Sequence, residues 1–206
     1  MTPEYFNLTE EYLDGARAFA KRREQLRAEG KWSQFISMSR NCDAANDLLD
    51  IIENKDCPPS RLWPVIGEAW VMSNGIMEDW DTWLSIWSYA FREDGTLTKS
   101  HRNVMLTSDR RVFDSLPKRV RLYRGCHDED SADGFSWTLD RSVAVFFARR
   151  VAYQGEAVVA QITVNRKHIL AYFGEREEQE VVLHPRAFRR TKIMLEQLPS
   201  ADQEAA

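Results

Sequence analysis

The sequence predicts an α+β fold in which a tryptophan-rich helical region precedes a β-rich part. Apolar residues recur at helical spacing through most of residues 1–116. After Pro117 the chain consists of short runs rich in β-branched and aromatic residues, separated by turn residues. Helices followed by strands are typical of α+β proteins, whereas α/β folds alternate the two. We therefore expect a helical region at 1–116, a β-rich core at 117–196 and a flexible tail at 197–206.

The helical region is predicted to begin with helices at 8–29 and 33–55, which Gly30 and the pair Pro58-Pro59 end. An apolar stripe on the first helix is formed by Leu13, Ala16, Phe19, Ala20 and Leu26. A later helix contains Trp80, Trp83 and Trp87 at spacings i, i+3 and i+7, with Trp63 and Trp70 before it. Such a stripe could stack nucleotide bases, but it is more often helix-packing core, and we assign it to the core. One helix or two short ones follow at 98–116.

The β-rich core is predicted to contain at least five strands and one helix. The strands lie at 120–124, 135–139, 157–164, 168–173 and 178–183. Asp140 is a predicted N-cap for a helix that runs to Arg150. Residues 188–195 fit either a strand or a helix.

Composition and charge are those of an ordinary soluble protein. The 206 residues are 43% hydrophobic and 29% charged, with a net charge of −4. Residues 1–97 hold 10 basic and 17 acidic residues, and residues 98–206 hold 18 basic and 15 acidic ones. The C-terminal half is therefore the part suited to an anionic ligand. The alternative is that the difference in charge between the two halves arises by chance.

Some classes of protein do not fit the sequence. No uncharged apolar stretch is long enough to span a membrane, and the N-terminus is acidic where a secretion signal is basic. We therefore expect a cytoplasmic protein with no membrane partner. The three cysteines, Cys42, Cys57 and Cys126, are scattered and odd in number, so we expect neither a disulfide framework nor a metal site.

The acidic stretch Glu175–Leu183 is the centre of the candidate site. If residues 179–183 are extended, Glu178 and Glu180 project from the same face, because side chains alternate along a strand. Two carboxylates so close resist joint ionisation, so such a pair holds a cation or lines a site that handles positive charge. The alternative is a solvated acidic turn before a buried edge strand.

Arg124 lies at the end of a predicted strand and is followed by Gly125. A planar guanidinium grips a phosphate through two parallel hydrogen bonds, and a glycine lets a ligand approach the backbone. A carboxylate in the same cleft would stabilise a sugar cation, as in glycoside cleavage. A dinucleotide whose ribose–nicotinamide bond breaks supplies both a pyrophosphate and such a cation. The sequence contains no Gly-x-Gly-x-x-Gly motif after a strand, so it does not predict a Rossmann domain as the dinucleotide-binding fold.

Three motifs occur in order in the β-rich core. They are Tyr123-Arg124-Gly125, then Phe135-Ser136-Trp137-Thr138 running into a helix with Ala144, Phe147 and Ala148, then Glu178-Gln179-Glu180. Together they resemble the Arg–Ser–Glu class of mono-ADP-ribosyltransferases, the group of cholera-toxin-like bacterial toxins and phage enzymes. The resemblance covers residues 117–196 and implies an ADP-ribosyltransferase-like split β-sandwich that uses NAD as co-substrate and no metal. The sequence departs from the family at Trp137, where a small residue is usual.

The resemblance also implies which residues bind NAD. Arg124 would contact an NAD phosphate and ribose, and the backbone of Gly125 would hold the nicotinamide amide. Ser136, Thr138 and Phe147 would complete the same pocket.

For catalysis, the resemblance implies that Ser136 orients Glu180, which stabilises the sugar cation as nicotinamide leaves. Glu178 would act on the acceptor as an acid or base, an arrangement similar to that of arginine-modifying enzymes. A protein arginine is therefore the favoured acceptor. The alternative acceptor is a nucleic-acid base, because several basic residues lie in this half, namely Lys118, Arg119, Arg121, Arg186, Arg189, Arg190 and Lys192.

Further expectations concern partners and non-catalytic functions. An antitoxin or inhibitor protein is an expected partner of a toxin-type enzyme. The chain could also be a relative that binds NAD without transfer, or an interaction protein that presents its tryptophan-rich helices as a surface. Exposed tryptophans would favour the interaction protein, and buried ones would not.

Overall fold

The computed structural model describes residues 10–40, 42–73, 79–152, 156–174 and 177–199, and for Glu11 and residues 188–190 it describes the backbone alone. The chain divides into two compact units, Met1–Asn74 and Gly75–Ala206. Helices are combined with an antiparallel sheet, so the protein belongs to the predicted α+β class. Among the described helices, none is long and apolar enough to cross a membrane.

The first unit is helical. Its helices are α1 (Glu10–Ala28), α2 (Trp32–Ser37), α3 (Ala44–Glu53) and α4 (Pro59–Met72). Gly30 ends the first helical segment in the left-handed conformation, with a φ of 66°, which a residue without a Cβ adopts at little cost. Pro59 occupies the first turn of α4, where its missing N–H would have no helical partner in any case. The core includes Leu48, Ile66 and Trp70.

The single helix predicted at 33–55 is wrong, because the chain breaks between Ser37 and Ala44. The linking residues include Ser39 and Asp43, whose side chains compete with the helical hydrogen bonds. Ser39 Oγ donates to Asp47 at 2.5 Å, and Arg40 pairs with Asp43 at 2.5 Å. These contacts favour a turn over a continuous helix.

The predicted apolar stripe of α1 is largely exposed, contrary to expectation. Leu13 and Phe19 are 40% and 48% exposed, and of the stripe only Leu26 is buried. Charged contacts instead hold the C-terminal half of α1 to α3. The Arg23 guanidinium lies 2.5 Å from the Asp47 carboxylate and stacks on the ring of Phe35.

The second unit contains the remaining elements. The helices are α5 (Trp80–Ser88), α6 (Thr107–Ser115) and α7 (Arg141–Val151). The strands are β1 (Arg119–Cys126), β2 (Ser136–Thr138), β3 (Val158–Asn165), β4 (Ile169–Phe173), β5 (Glu180–Leu183) and β6 (Met194–Gln197). Short 3₁₀ segments lie at Lys99–Val104, Asp130–Asp133, Arg166–His168 and Pro185–Arg190.

In the described residues the six strands form one antiparallel sheet in the order β4-β5-β2-β1-β3-β6. The middle of this sheet is weakly paired. β1 and β3 pair over eight residues, whereas the described pairing of β1 with β2 is the single pair Tyr123–Thr138. The β4-β5-β2 half and the β1-β3-β6 half therefore meet at one point, and the side chains beside that point form the candidate site.

The tryptophan stripe belongs to the core, as predicted. Trp83 and Trp87 are fully buried in the second unit, and Trp80 is half-buried with its ring 4.5 Å from the ring of Phe135. Trp63 and Trp70 are buried in the first unit. The described residues therefore do not present the exposed tryptophan surface that an interaction protein would need.

Several local predictions agree with the structure. Asp140 caps α7, because its carboxylate accepts the backbone N–H of Ser142 at 2.7 Å. The segment at 98–116 forms a 3₁₀ segment followed by a short helix. The segment at 188–195, which fits either a strand or a helix by its pattern, contributes to a 3₁₀ segment and to β6, which extends to Gln197. Residues 200–206 of the predicted tail lie outside the described residues.

Candidate functional site

Ser136 and Glu180 are brought together by the pairing of β2 with β5. In this antiparallel pair Ser136 lies opposite Val182, and Thr138 lies opposite Glu180. Ser136 and Glu180 are therefore diagonal neighbours on one face, within reach of a long side chain. Ser136 Oγ donates a hydrogen bond of 2.6 Å to Glu180 Oε1. This is the contact that the family resemblance implies between these two residues.

Glu178 does not lie on the strand, so the prediction that residues 178–183 are extended is wrong at its start. The backbone of Glu177 and of Gln179 is left-handed, with φ values of 57° and 46°, and β5 begins only at Glu180. The alternation that would put both carboxylates on one face therefore does not apply. The preceding residues Glu175 and Arg176 lie outside the described residues.

Thr138 and the residue after it hold the backbone beside Glu178. Thr138 Oγ1 donates to the carbonyl of Glu178 at 2.6 Å, and Leu139 N–H donates to the carbonyl of Gln179 at 3.2 Å. The Glu178 side chain is half-exposed. Thr138 thus fixes the segment that carries Glu178, and Ser136 fixes the carboxylate of Glu180.

Arg124 sits at the weak point of the sheet, between β1 and β2. Its Nη1 donates to the carbonyl of Ser136 at 2.7 Å, and its Nε donates to the carbonyl of Ser131 at 3.1 Å. The half-buried guanidinium therefore joins the loop before β2 to β2 itself. Through these bonds the arginine, the serine and the glutamate of the three motifs form one connected group.

Gly134 is a site residue that the sequence reasoning missed. A Cβ at this position would lie 2.2 Å from Cζ of Arg124, so a larger residue would displace the guanidinium from its present position. Its carbonyl also accepts the indole N–H of Trp137 at 2.8 Å. Trp137, the departure from the family pattern, is buried on the opposite face of β2 from Ser136 and Thr138. The signal in the sequence was a glycine immediately before a strand that carries a motif.

Gly125 has a packing role that the sequence does not predict. A Cβ here would lie 2.3 Å from the backbone oxygen of Ala144 and 2.3 Å from the backbone nitrogen of Ala148. The glycine is therefore required by the close packing of α7 on β1, and the contact of its backbone with the nicotinamide amide stays a prediction. The same packing brings Phe147 beside Gly125, because the backbone carbon of Phe147 would lie 2.8 Å from that Cβ. The Phe147 ring is half-buried and meets the exposed Phe146 edge to face at 5.4 Å.

The electrostatics of the site centre on Arg124. Burial lowers the pKa of its guanidinium, and the negative charges of Asp133 and Glu180 act in the opposite direction. An arginine pKa lies so far above neutral that the group stays protonated. A cationic guanidinium and a glutamate therefore lie within electrostatic range of each other in a partly water-excluded site.

The remaining candidate groups are possible metal ligands and the three cysteines. Within the described ranges, no group of three His, Cys, Asp or Glu residues could hold a metal ion. The three cysteines are free thiols, and burial raises the pKa of Cys57 and of Cys126.

Comparison of the chain with protein-family models, with curated proteins and with solved structures finds no match.

Proposed function

We propose that this protein is a mono-ADP-ribosyltransferase with the split β-sandwich core of that family, which transfers ADP-ribose from NAD to a macromolecular acceptor and releases nicotinamide. The observation that carries this proposal is the hydrogen bond from Ser136 Oγ to Glu180 Oε1, made beside the Arg124 guanidinium. Residues of three motifs that are individually common contact one another at one point of the sheet, which supports the roles that we propose for them. A weakly paired junction between two half-sheets supports a cleft at that point.

The residues of the site suit NAD in charge and shape. Arg124 would face the pyrophosphate, since two of its nitrogens are already fixed by backbone carbonyls and the planar group is held in one orientation. Phe147 would present an aromatic face beside Gly125, whose backbone would hold the nicotinamide amide. In NAD the nicotinamide ring that is bonded to the ribose is positively charged. The co-substrate therefore supplies its own good leaving group.

Glu180 would stabilise the positive charge that develops on the ribose as nicotinamide leaves. Ser136 would hold the carboxylate in place, so that little reorganisation is needed at that moment. Glu178, on the neighbouring segment, would accept a proton from the acceptor or orient it. The backbone supports separate roles for the two glutamates, because Glu180 belongs to the strand and Glu178 to the segment before it.

Protein arginine is the acceptor that we favour, because a glutamate two residues before the catalytic one resembles the arginine-modifying enzymes. A cytoplasmic place of action, where thiols stay reduced, belongs to the same proposal, as does an antitoxin or inhibitor protein as a partner.

A basic sheet face supports a nucleic-acid base as the second candidate acceptor. Arg119 and Arg121 are exposed, and by strand alternation they share the face of Tyr123, whose partner in β2 is Thr138. β1 contributes these two arginines to the face, and β1 and β3 contain no acidic residue. A phosphate backbone could bind at the Arg119 and Arg121 end of this face, whereas the Tyr123 end is packed against Ala144 and Ala148 of α7. Of the other basic residues that favoured this acceptor, Arg189 and Arg190 have side chains outside the described set.

The test is to incubate the purified protein with NAD labelled in its adenine part and with a cell lysate. Nicotinamide release should rise above that of a heat-inactivated sample, and the label should be found by mass spectrometry on arginines of the protein fraction. Label in the nucleic-acid fraction that is lost in an Arg119→Ala, Arg121→Ala double variant would favour the second acceptor. Absence of nicotinamide release with any fraction would contradict the proposed function.

A further inference from the structure

Asp109 is a buried carboxylate that the proposed mechanism does not use. It lies in the first turn of α6, and its side chain and backbone together are 4% exposed. Burying a charge is costly unless hydrogen bonds compensate for the lost water. The position near the N-terminus of a helix offsets part of this cost, because the helix dipole favours a negative charge there.

Asp109 Oδ1 accepts the backbone N–H of Gly174 at 3.3 Å. Gly174 directly follows β4, which is an edge strand of the sheet. Alternate N–H groups of an edge strand point away from its neighbour and need another acceptor. The N–H groups of Tyr172 and Gly174 both find acceptors on this side of β4. The N–H of Tyr172 donates to Met105 Sδ at 3.3 Å. The chain around α6 therefore supplies the acceptors that the end of β4 lacks.

Fixing Gly174 also fixes the segment Glu177–Gln179 that precedes β5. The carbonyl of Gly174 accepts the N–H of Glu177 at 3.2 Å. At its other end the segment is held by Thr138 and Leu139 through the carbonyls of Glu178 and Gln179. The segment is thus tied to Asp109 on one side and to β2 on the other, and its left-handed residues need such support.

Glu180 is held mainly by contacts that do not involve Asp109. It pairs with Thr138 in β2 and with Phe173 in β4, and its carboxylate accepts the hydroxyl of Ser136. Loss of the Asp109 contact should therefore loosen the Glu178 side of the site more than the Glu180 side.

We propose that Asp109 is a positioning residue for the acceptor step, which sets the Glu177–Gln179 segment, and with it the Glu178 carboxylate, against the site. The role of Asp109 in the acceptor step rests on the proposed function, whereas its role in holding the Glu177–Gln179 segment does not. Both parts are tested with the same set of variants.

The variants are Asp109→Ala, which removes the acceptor, and Asp109→Asn, which keeps an uncharged oxygen that can still accept the Gly174 N–H. Asp114→Ala is the matched control, since Asp114 is an exposed carboxylate of the same helix that pairs with Arg102. Hydrogen exchange of the Glu177 amide should become about ten-fold faster in the alanine variant, as expected for one hydrogen bond to a charged group. The asparagine variant should show a smaller increase, and the amides of Val181 to Leu183 should exchange as in the parent.

The second readout is the fraction of released nicotinamide that is matched by acceptor labelling. This fraction should fall in both Asp109 variants and stay at the parental value in Asp114→Ala. If Asp109→Ala does not fold, the asparagine variant alone carries both measurements. Unchanged exchange at Glu177, an equal increase across β5, or a parallel loss of nicotinamide release and labelling would overturn the proposal. A parent that releases no nicotinamide would refute the proposed function, and the exchange rate at Glu177 would then decide by itself whether Asp109 positions the segment.

Discussion

The hydroxyl of Ser136 offers the most selective way to perturb the site. Replacing Ser136 by alanine removes the donor that lies 2.6 Å from Glu180 Oε1. The backbone carbonyl of Ser136, which accepts Nη1 of Arg124 at 2.7 Å, is kept. The change therefore separates the orientation of the glutamate from the seating of the arginine.

The expected size of the effect follows from the type of bond. A hydrogen bond to a charged group contributes about 1.5–3 kcal/mol. If this contribution is realised in the transition state, its loss slows nicotinamide release by roughly 10- to 100-fold, since about 1.4 kcal/mol corresponds to a factor of ten. The Km for NAD should change less, because the contacts of Arg124 are kept.

The assay is the initial rate of nicotinamide release over a range of NAD concentrations, with the melting temperature measured in parallel. Ser85→Ala is the matched control, because that hydroxyl is exposed and bonds the carbonyl of Asp81 in its own helix. Ser136→Thr keeps a hydroxyl on a β-branched residue suited to a strand and should recover part of the rate. A parental rate in Ser136→Ala would refute the role given to this bond.

Three further predictions concern the arginine and the packing around it. Arg124→Lys should lose most NAD affinity in calorimetric titration, because an ammonium cannot bond the carbonyls of Ser131 and Ser136 and also donate further in-plane N–H groups to a phosphate; unchanged affinity would remove Arg124 from the site. Gly125→Ala should lower the free energy of unfolding by about 1–3 kcal/mol in denaturant titration, because its Cβ meets backbone atoms of α7. The matched Gly15→Ala, where nothing lies within 4 Å, should not destabilise the protein. Trp83→Ala should cost about 3–5 kcal/mol in the same titration, and a value below about 1 kcal/mol would mean that Trp83 is not core.

Local rules were enough to predict much of the second unit. The β-rich runs of β1, β3 and β4 are visible because branched and aromatic residues cluster between turns. The Asp140 cap is visible because its partner Ser142 is two residues away. The contact between Ser136 and Glu180 joins residues 44 positions apart, and neither periodicity nor propensity indicates it. It could be predicted only because three motifs in order resemble a family.

The predictions that were wrong or missing have a common physical cause, which is that contacts made elsewhere in the chain decide the local conformation. The left-handed residues Glu177 and Gln179 are not glycines. The acidic run itself does not reveal the hydrogen bonds that stabilise this segment, one donated by the N–H of Leu139 and one accepted by the carbonyl of Gly174. Gly134 makes room for a guanidinium ten positions earlier. Asp109 looks like any acidic residue in a first helical turn until the end of β4 is placed against it.

The same limit applies to the first unit. An apolar stripe at helical spacing predicts a buried face, yet the packing of α1 depends on Arg23 and Asp47, whose pairing the spacing does not reveal. The break between α2 and α3 did carry a signal, since Ser39, Asn41 and Asp43 occur there and such residues favour turns.

We propose that Glu180 stabilises the ribose cation and that Glu178 acts on the acceptor. The most direct measurement compares nicotinamide release and acceptor labelling in Glu180→Gln and in Glu178→Gln, each against the parent protein. Glu180→Gln should lose both activities, including slow transfer to water, because the charge it stabilises develops in every reaction that breaks the nicotinamide bond. Glu178→Gln should lose labelling and keep measurable hydrolysis of NAD. Hydrolysis that survives in Glu180→Gln, or an equal loss of both activities in Glu178→Gln, would contradict this division of roles.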